Sequence, residues 1–182
     1  MQHARIFLIG PMGAGKTAIG RELAHLLKRD FLDTDREIER RTGVDIPLIF
    51  DKEGEAGFRR RERDMISELT QCEPVVLATG GGAILDPENR EHLHQRGFVI
   101  YLKASFEAIN IRTSRNQNRP LLANPDRETR LQELLNERAP YYEALAQLTV
   151  VTDHGHVRSL ARQIVRELER LDQPTDRAGH AG

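Results

Sequence analysis

The chain has 182 residues, 38% apolar and 30% charged, which suits one globular domain with room for a proper core. Its 27 basic and 28 acidic residues leave a formal net charge of −1, so the whole-molecule field gives no reason to expect nucleic-acid binding. Cys72 is the only cysteine, which excludes an internal disulfide and suits a reducing cytoplasm, and no apolar run approaches the ~20 residues of a membrane span. Cys72 itself is expected to be a small packed side chain at a helix end. No signal peptide is expected, because the chain enters a strand almost at once.

Residues 5–9, Arg-Ile-Phe-Leu-Ile, are a β-branched and aromatic run that predicts a buried strand. Gly10-Pro-Met-Gly-Ala-Gly-Lys16-Thr17 follows and fits G-x-x-x-x-G-K-[ST], the phosphate-binding loop of nucleoside-triphosphate enzymes. A helix is predicted from Ala18 to residue 27, with Ile19, Leu23, Leu26 and Leu27 on one face. Strand, glycine loop and helix form the context that this motif needs. Glycines let successive amides converge on phosphate oxygens, and the helix N-terminus adds a favourable partial charge. Lys16 would reach the β- and γ-phosphates, and the Thr17 hydroxyl would ligate Mg²⁺.

Residues 31–35, Phe-Leu-Asp-Thr-Asp, end a second strand in two acids, and a polar helical stretch follows over 36–41. Another helix starts near Asp45-Ile-Pro47, since proline is tolerated in a first turn, and continues through 58–69. Residues 74–79 read as a third strand that ends in Gly80-Gly81-Gly82, before a helix over 89–95. Strands over 98–102 and 148–152 enclose a helix over 106–116, a polar loop, and a helix over 127–146. A last helix over 157–171 carries Leu160, Ile164, Val165 and Leu168 at helical spacing, and residues 173–182 read as a frayed tail.

Strands alternating with helices imply a mostly parallel sheet covered on both faces, with ligands at the carboxyl ends of the strands. That rule gathers the phosphate loop, Asp33 with Asp35, and the glycine triplet into one cleft. The two acids lie two apart, so on a strand they would point the same way. Phosphoryl transfer needs one carboxylate near the metal and another near the attacking hydroxyl. Within Arg59-Arg-Arg61-Glu62-Arg63, the spacing puts Glu62 beside Arg59 on a helix, where it could hold the guanidinium for bidentate grip on a ligand carboxylate. Arg112, Arg115 and Arg119 bracket the polar segment Asn116-Gln-Asn-Arg-Pro120, which reads as a lid over transferring phosphate. In Arg138-Ala-Pro-Tyr-Tyr142 a proline is expected to interrupt the helix and free Arg138 to lean inward. His154 and His156 read as polar loop residues, and His92 and His94 as solvent-facing.

Leu32-Asp33-Thr34-Asp35, Phe58-Arg59-Arg60, Gly80-Gly81-Gly82, Arg119-Pro-Leu-Leu122 and Arg138-Ala-Pro-Tyr141 occur in that order. Over roughly residues 4–170 the chain resembles the shikimate kinases, which phosphorylate the 3-hydroxyl of shikimate in aromatic amino-acid biosynthesis. The resemblance implies an α/β P-loop kinase: a five-stranded parallel sheet of order 2-3-1-4-5 flanked by helices, in one domain over 1–172. It implies a substrate-binding segment over about 36–70, a lid over about 113–124, and a tail over 173–182. ATP would contact Gly13, Ala14, Gly15, Lys16, Thr17 and Ala18, with Arg112 lining the adenine and Arg119 approaching the phosphates from the lid. Mg²⁺ would be held directly by Thr17 and through water by Asp33. Shikimate would meet Asp35 as candidate base or orienter, Arg59 and Arg138 on its carboxylate, Gly81 and Gly82 through the backbone, and Phe50 and Phe58 as apolar walls. Lys16, Asp35 and Arg119 are thus the implied catalytic set, in a cytoplasmic monomer without membrane or nucleic-acid partners. Residues 153–156 fall where the family's adenine loop lies, but their side chains match no pattern. The rival readings are another small-molecule kinase of this fold, for gluconate or a nucleotide, and a nucleotide-binding module without catalysis.

Overall fold

A computed structural model describes residues 3–114 and 126–173 of the chain. Five strands, β1 (Arg5–Ile9), β2 (Asp30–Asp33), β3 (Val75–Ala78), β4 (Phe98–Lys103) and β5 (Leu148–Val151), form one parallel sheet of order β2-β3-β1-β4-β5. Among the described residues, six α-helices connect them, α1 (Lys16–Leu27), α2 (Thr34–Thr42), α3 (Ile46–Leu69), α4 (Pro87–Arg96), α5 (Phe106–Thr113) and α6 (Arg127–Leu145), and α7 (Val157–Asp172) follows β5.

The sheet is buried on both faces, so its central strands carry unbroken apolar runs rather than alternation. Ile6 and Leu8 of β1 point with Val76, Ile100 and Leu102 into a layer closed by Ile19 and Leu23 of α1 and Leu160, Ile164 and Leu168 of α7. Phe7 and Ile9 point the other way, with Leu77, Val99 and Tyr101, against Ile66 of α3, Leu93 of α4 and Tyr142 of α6. A smaller cluster joins Ile109 of α5 to Leu131 and Leu134 of α6.

Several expectations need correction. Leu26 is 37% exposed, because α1 buries Ile19, Gly20, Leu23 and Ala24 and that stripe leaves Leu26 at its edge. Cys72 is exposed, since it follows the end of α3 in a turn instead of packing under it. His92 is half-buried on α4, whereas His94 is exposed. Helix α5 ends at Thr113 rather than near 116. Helix α6 runs through Pro140 without interruption. Proline removes one amide there, yet the buried positions Leu131, Leu134, Arg138, Tyr142 and Leu145 keep one continuous helical stripe. Arg138 therefore faces inward through periodicity and not through a break.

Candidate active site

The loop between β1 and α1 turns through left-handed backbone at Gly13 (φ 78°) and Gly15 (φ 93°), which only glycine adopts cheaply. No side chain caps α1, so its first amides face the cleft beside Lys16 and Thr17. The Lys16 ammonium folds back over the loop and donates to the carbonyls of Gly10 at 2.6 Å and Pro11 at 2.8 Å. Gly13, Gly15, Lys16, Thr17, Ala18, Asp33, Asp35 and Thr79 surround one cavity here. Ala14 packs under the loop, buried in the apolar layer against α1.

Asp33 and Asp35 reach the cleft by a different route from two neighbours on a strand. Asp33 closes β2 and caps α2, its Oδ1 accepting from the Arg36 amide, while Asp35 already lies in the first helical turn. Thr17 Oγ1 donates to Asp33 Oδ2 at 2.7 Å. A hydroxyl and a carboxylate oxygen side by side are the oxygen donors a hard divalent cation prefers, and Mg²⁺ takes few protein ligands beside substrate phosphates. The residues present therefore fit that ion. Among the described residues no group of three or more His, Cys, Asp or Glu could form a dedicated metal cage.

A second cavity of about 260 Å³ opens beside the first. Phe50 and Phe58, tilted at 33° with ring centroids 4.9 Å apart, form its apolar wall, and Asp35, Arg59, Gly81, Gly82 and Arg138 all line it. Arg59 donates through Nη1 to Glu62 at 2.6 Å and through Nη2 to Glu55 at 3.1 Å. Burial lowers the Arg59 pKa, but the charges and hydrogen bonds of Glu62 and Glu55 outweigh it and raise the net value. Glu62 is 1% exposed. Burial pushes its carboxyl up to about 7, with Arg59 pulling it back down and Asp35 adding repulsion. Arg138 is also buried, and its Nε has no hydrogen-bond partner among the described residues.

The triplet 80–82 is where side chains crowd most. A Cβ on Gly80 would lie 2.4 Å from Glu62 Oε1 and 2.9 Å from Asp35 Oδ1, and one on Gly82 would lie 2.5 Å from Arg59 Nη2. The missing Cβ atoms at 80 and 82 thus leave room for protein side chains, in addition to any ligand. Thr34, hidden between the two acids, is fully buried and its Oγ1 accepts the Gly80 amide at 3.0 Å.

Arg112 on α5 donates to the Gly13 carbonyl at 3.1 Å and to the carbonyls of Thr152 at 2.5 Å and Asp153 at 3.2 Å. It bridges the phosphate loop to the turn after β5, where the Asp153 carboxylate accepts the Ser105 amide. Arg115, Arg119, most of the lid and residues 174–182 lie outside the described residues. Sequence reasoning missed Met12, Glu39, Ile46 and Pro47, which line the second cavity. Glu39 could have been found, since it stands one helical turn after Asp35. Met12, Asp35 and Gly81 line both cavities, so these two spaces meet at one carboxylate.

A family model described as shikimate kinase matches residues 12–169. The shikimate kinase of Methylococcus capsulatus is 54% identical over 165 residues, 91% of this chain and 92% of that protein. That of Halorhodospira halophila is 55% identical over 166 residues, 91% of this chain and 94% of its own. A solved structure of shikimate kinase from Acinetobacter baumannii in complex with shikimate shares the fold at a TM-score of 0.92 and 50% identity, covering 94% of this chain and 96% of that one.

Proposed function

The chain belongs to the shikimate kinase family, and on that premise we propose that it transfers the γ-phosphoryl group of ATP to the 3-hydroxyl of shikimate. The products are shikimate 3-phosphate and ADP, in the route to chorismate and the aromatic amino acids. The observation that carries this reading is the meeting of a phosphate-loop cavity and an arginine-lined cavity at Asp35. A gluconate or nucleotide kinase is not favoured, because the relatives reported above are all shikimate kinases.

Loose phosphoryl-transfer transition states need positioning and charge more than covalent help. Backbone amides of residues 13–18 cradle the phosphates, and Lys16 exchanges its two carbonyl partners for phosphate oxygens. Thr17 directly and Asp33 through water would hold Mg²⁺, which would supply positive charge against that developing on the phosphates. Arg59 and Arg138 grip the substrate carboxylate, Phe50 and Phe58 flank its ring, and Gly81 and Gly82 touch it through the backbone. Asp35 hydrogen-bonds the attacking hydroxyl and orients it or takes its proton. Arg112 lines the adenine, and Arg119 approaches the phosphates from the lid over 113–124. The substrate-binding segment covers about 36–70 of a single domain over 1–172, followed by a tail over 173–182. In this reading the enzyme acts in the cytoplasm as a monomer. No helix among the described residues is long and apolar enough to cross a membrane.

The test is ADP release with shikimate, gluconate or a nucleoside monophosphate offered separately, with Mg²⁺ and with a chelator. Turnover should require shikimate and the metal together. Faster turnover of gluconate or a nucleotide would overturn the assignment.

A further inference from the structure

Tyr142 belongs to none of the roles above, yet it holds one of the groups that perform them. Helix α6 places it four residues after Arg138, on the same buried stripe, and it is 1% exposed. Its ring stacks on Tyr101 of β4 with centroids 5.0 Å apart and planes within 18°. Its hydroxyl donates to the Gly81 carbonyl and lies in the field of the Arg138 guanidinium one helical turn earlier. Burial holds the phenol well above its ordinary 10, so it stays protonated, and a donor, throughout the working range.

The geometry matters because a peptide unit is planar. The Gly81 carbonyl and the Gly82 amide belong to one such plane and point in opposite directions. Holding the carbonyl therefore sets the direction of the amide. Glycine peptides rotate more freely than others, so an external hold has more to restrict here. Thr34 secures the same segment one residue earlier, by accepting the Gly80 amide.

We infer that Tyr142 is a positioning residue, its hydroxyl fixing the Gly81 peptide so that the triplet backbone meets the acceptor substrate in one preset arrangement. This rests on the reading of the second cavity as the shikimate site. Removing the hydroxyl leaves the ring, its volume and its stack on Tyr101, but frees the Gly81 peptide to turn.

The experiment is steady-state kinetics of Tyr142→Phe beside the parent, with Tyr141→Phe as control. Tyr141 is 39% exposed, with its ring under the Arg90 guanidinium. Tyr142→Phe should raise the shikimate KM about two- to tenfold, the scale of one net hydrogen bond, with kcat and the ATP KM unchanged. Tyr141→Phe should match the parent. A lowered Tm with an unchanged shikimate KM would make Tyr142 merely structural and overturn the inference. A parent that does not turn over shikimate would instead overturn the function reading, and so the two failures are distinguishable.

Discussion

Replacing Gly82 with alanine isolates what the glycine triplet is for. Gly82 adopts φ −96° and ψ −4°, a conformation open to any residue, so the substitution carries no backbone strain. The added methyl would stand 2.5 Å from Arg59 Nη2, 2.6 Å from Nη1 and 2.8 Å from Cζ. Ordinary contact begins at 3.4 Å, so the guanidinium must retreat by about 0.9 Å from its place against Glu62. A shift of that size takes a charge-assisted bond out of its working range, and such a bond contributes about 1.5–3 kcal/mol. The shikimate KM should therefore rise about ten- to hundredfold. The ATP KM should hardly change, because the phosphate loop is not displaced. The assay is coupled ADP release, varying each substrate with the other saturating. Arg59→Lys should give a similar rise, and the double variant should be far from additive, since both changes remove the same grip. An unchanged shikimate KM in Gly82→Ala, or equal damage to both substrates, would refute the clamp.

Lys16→Ala should lose ATP affinity and turnover together, while Asp35→Asn should keep its ATP KM and turn over at least ~10²-fold more slowly; near-normal turnover in the second would move the base role elsewhere. Thr34→Val leaves the buried Gly80 amide without its acceptor, at a cost of about 1–3 kcal/mol, which a thermal melt would register as a lower Tm. Glu62→Gln tests the raised carboxyl. The folded group keeps its proton up to about 7, whereas an unfolded one releases it near the ordinary 4.5, so between those values the folded state binds more protons. Stability should thus fall as pH rises through that window, and the parent's Tm should fall relative to that of Glu62→Gln between about pH 5 and 7. Parallel melting curves would show that Glu62 titrates normally.

Local chemistry was enough for much of this protein. The phosphate loop is legible because its glycines, Lys16 and Thr17 act within eight consecutive residues, and Arg59 finds Glu62 within one helical turn. Unbroken apolar runs over 6–9 and 98–102 announce a sheet covered on both faces, and the strand-helix alternation makes it parallel. The sheet order came from family resemblance, because nothing in a strand's own residues says which neighbour it will pair with. Three features needed the folded chain. Pro140 suggested a broken helix, but packing of the stripe from Leu131 to Leu145 keeps α6 continuous and delivers Arg138 inward. The glycine triplet suggested backbone room for a ligand, whereas at 80 and 82 its missing Cβ atoms also make room for Glu62, Asp35 and Arg59. Thr34 and Tyr142 carried no signal, since their partners at Gly80 and Gly81 are 46 and 61 residues away. A side chain's local spacing reports only what lies within a turn or a strand of it. Contacts across the cleft exist only once the sheet has brought the ends of β1, β2 and β3 together.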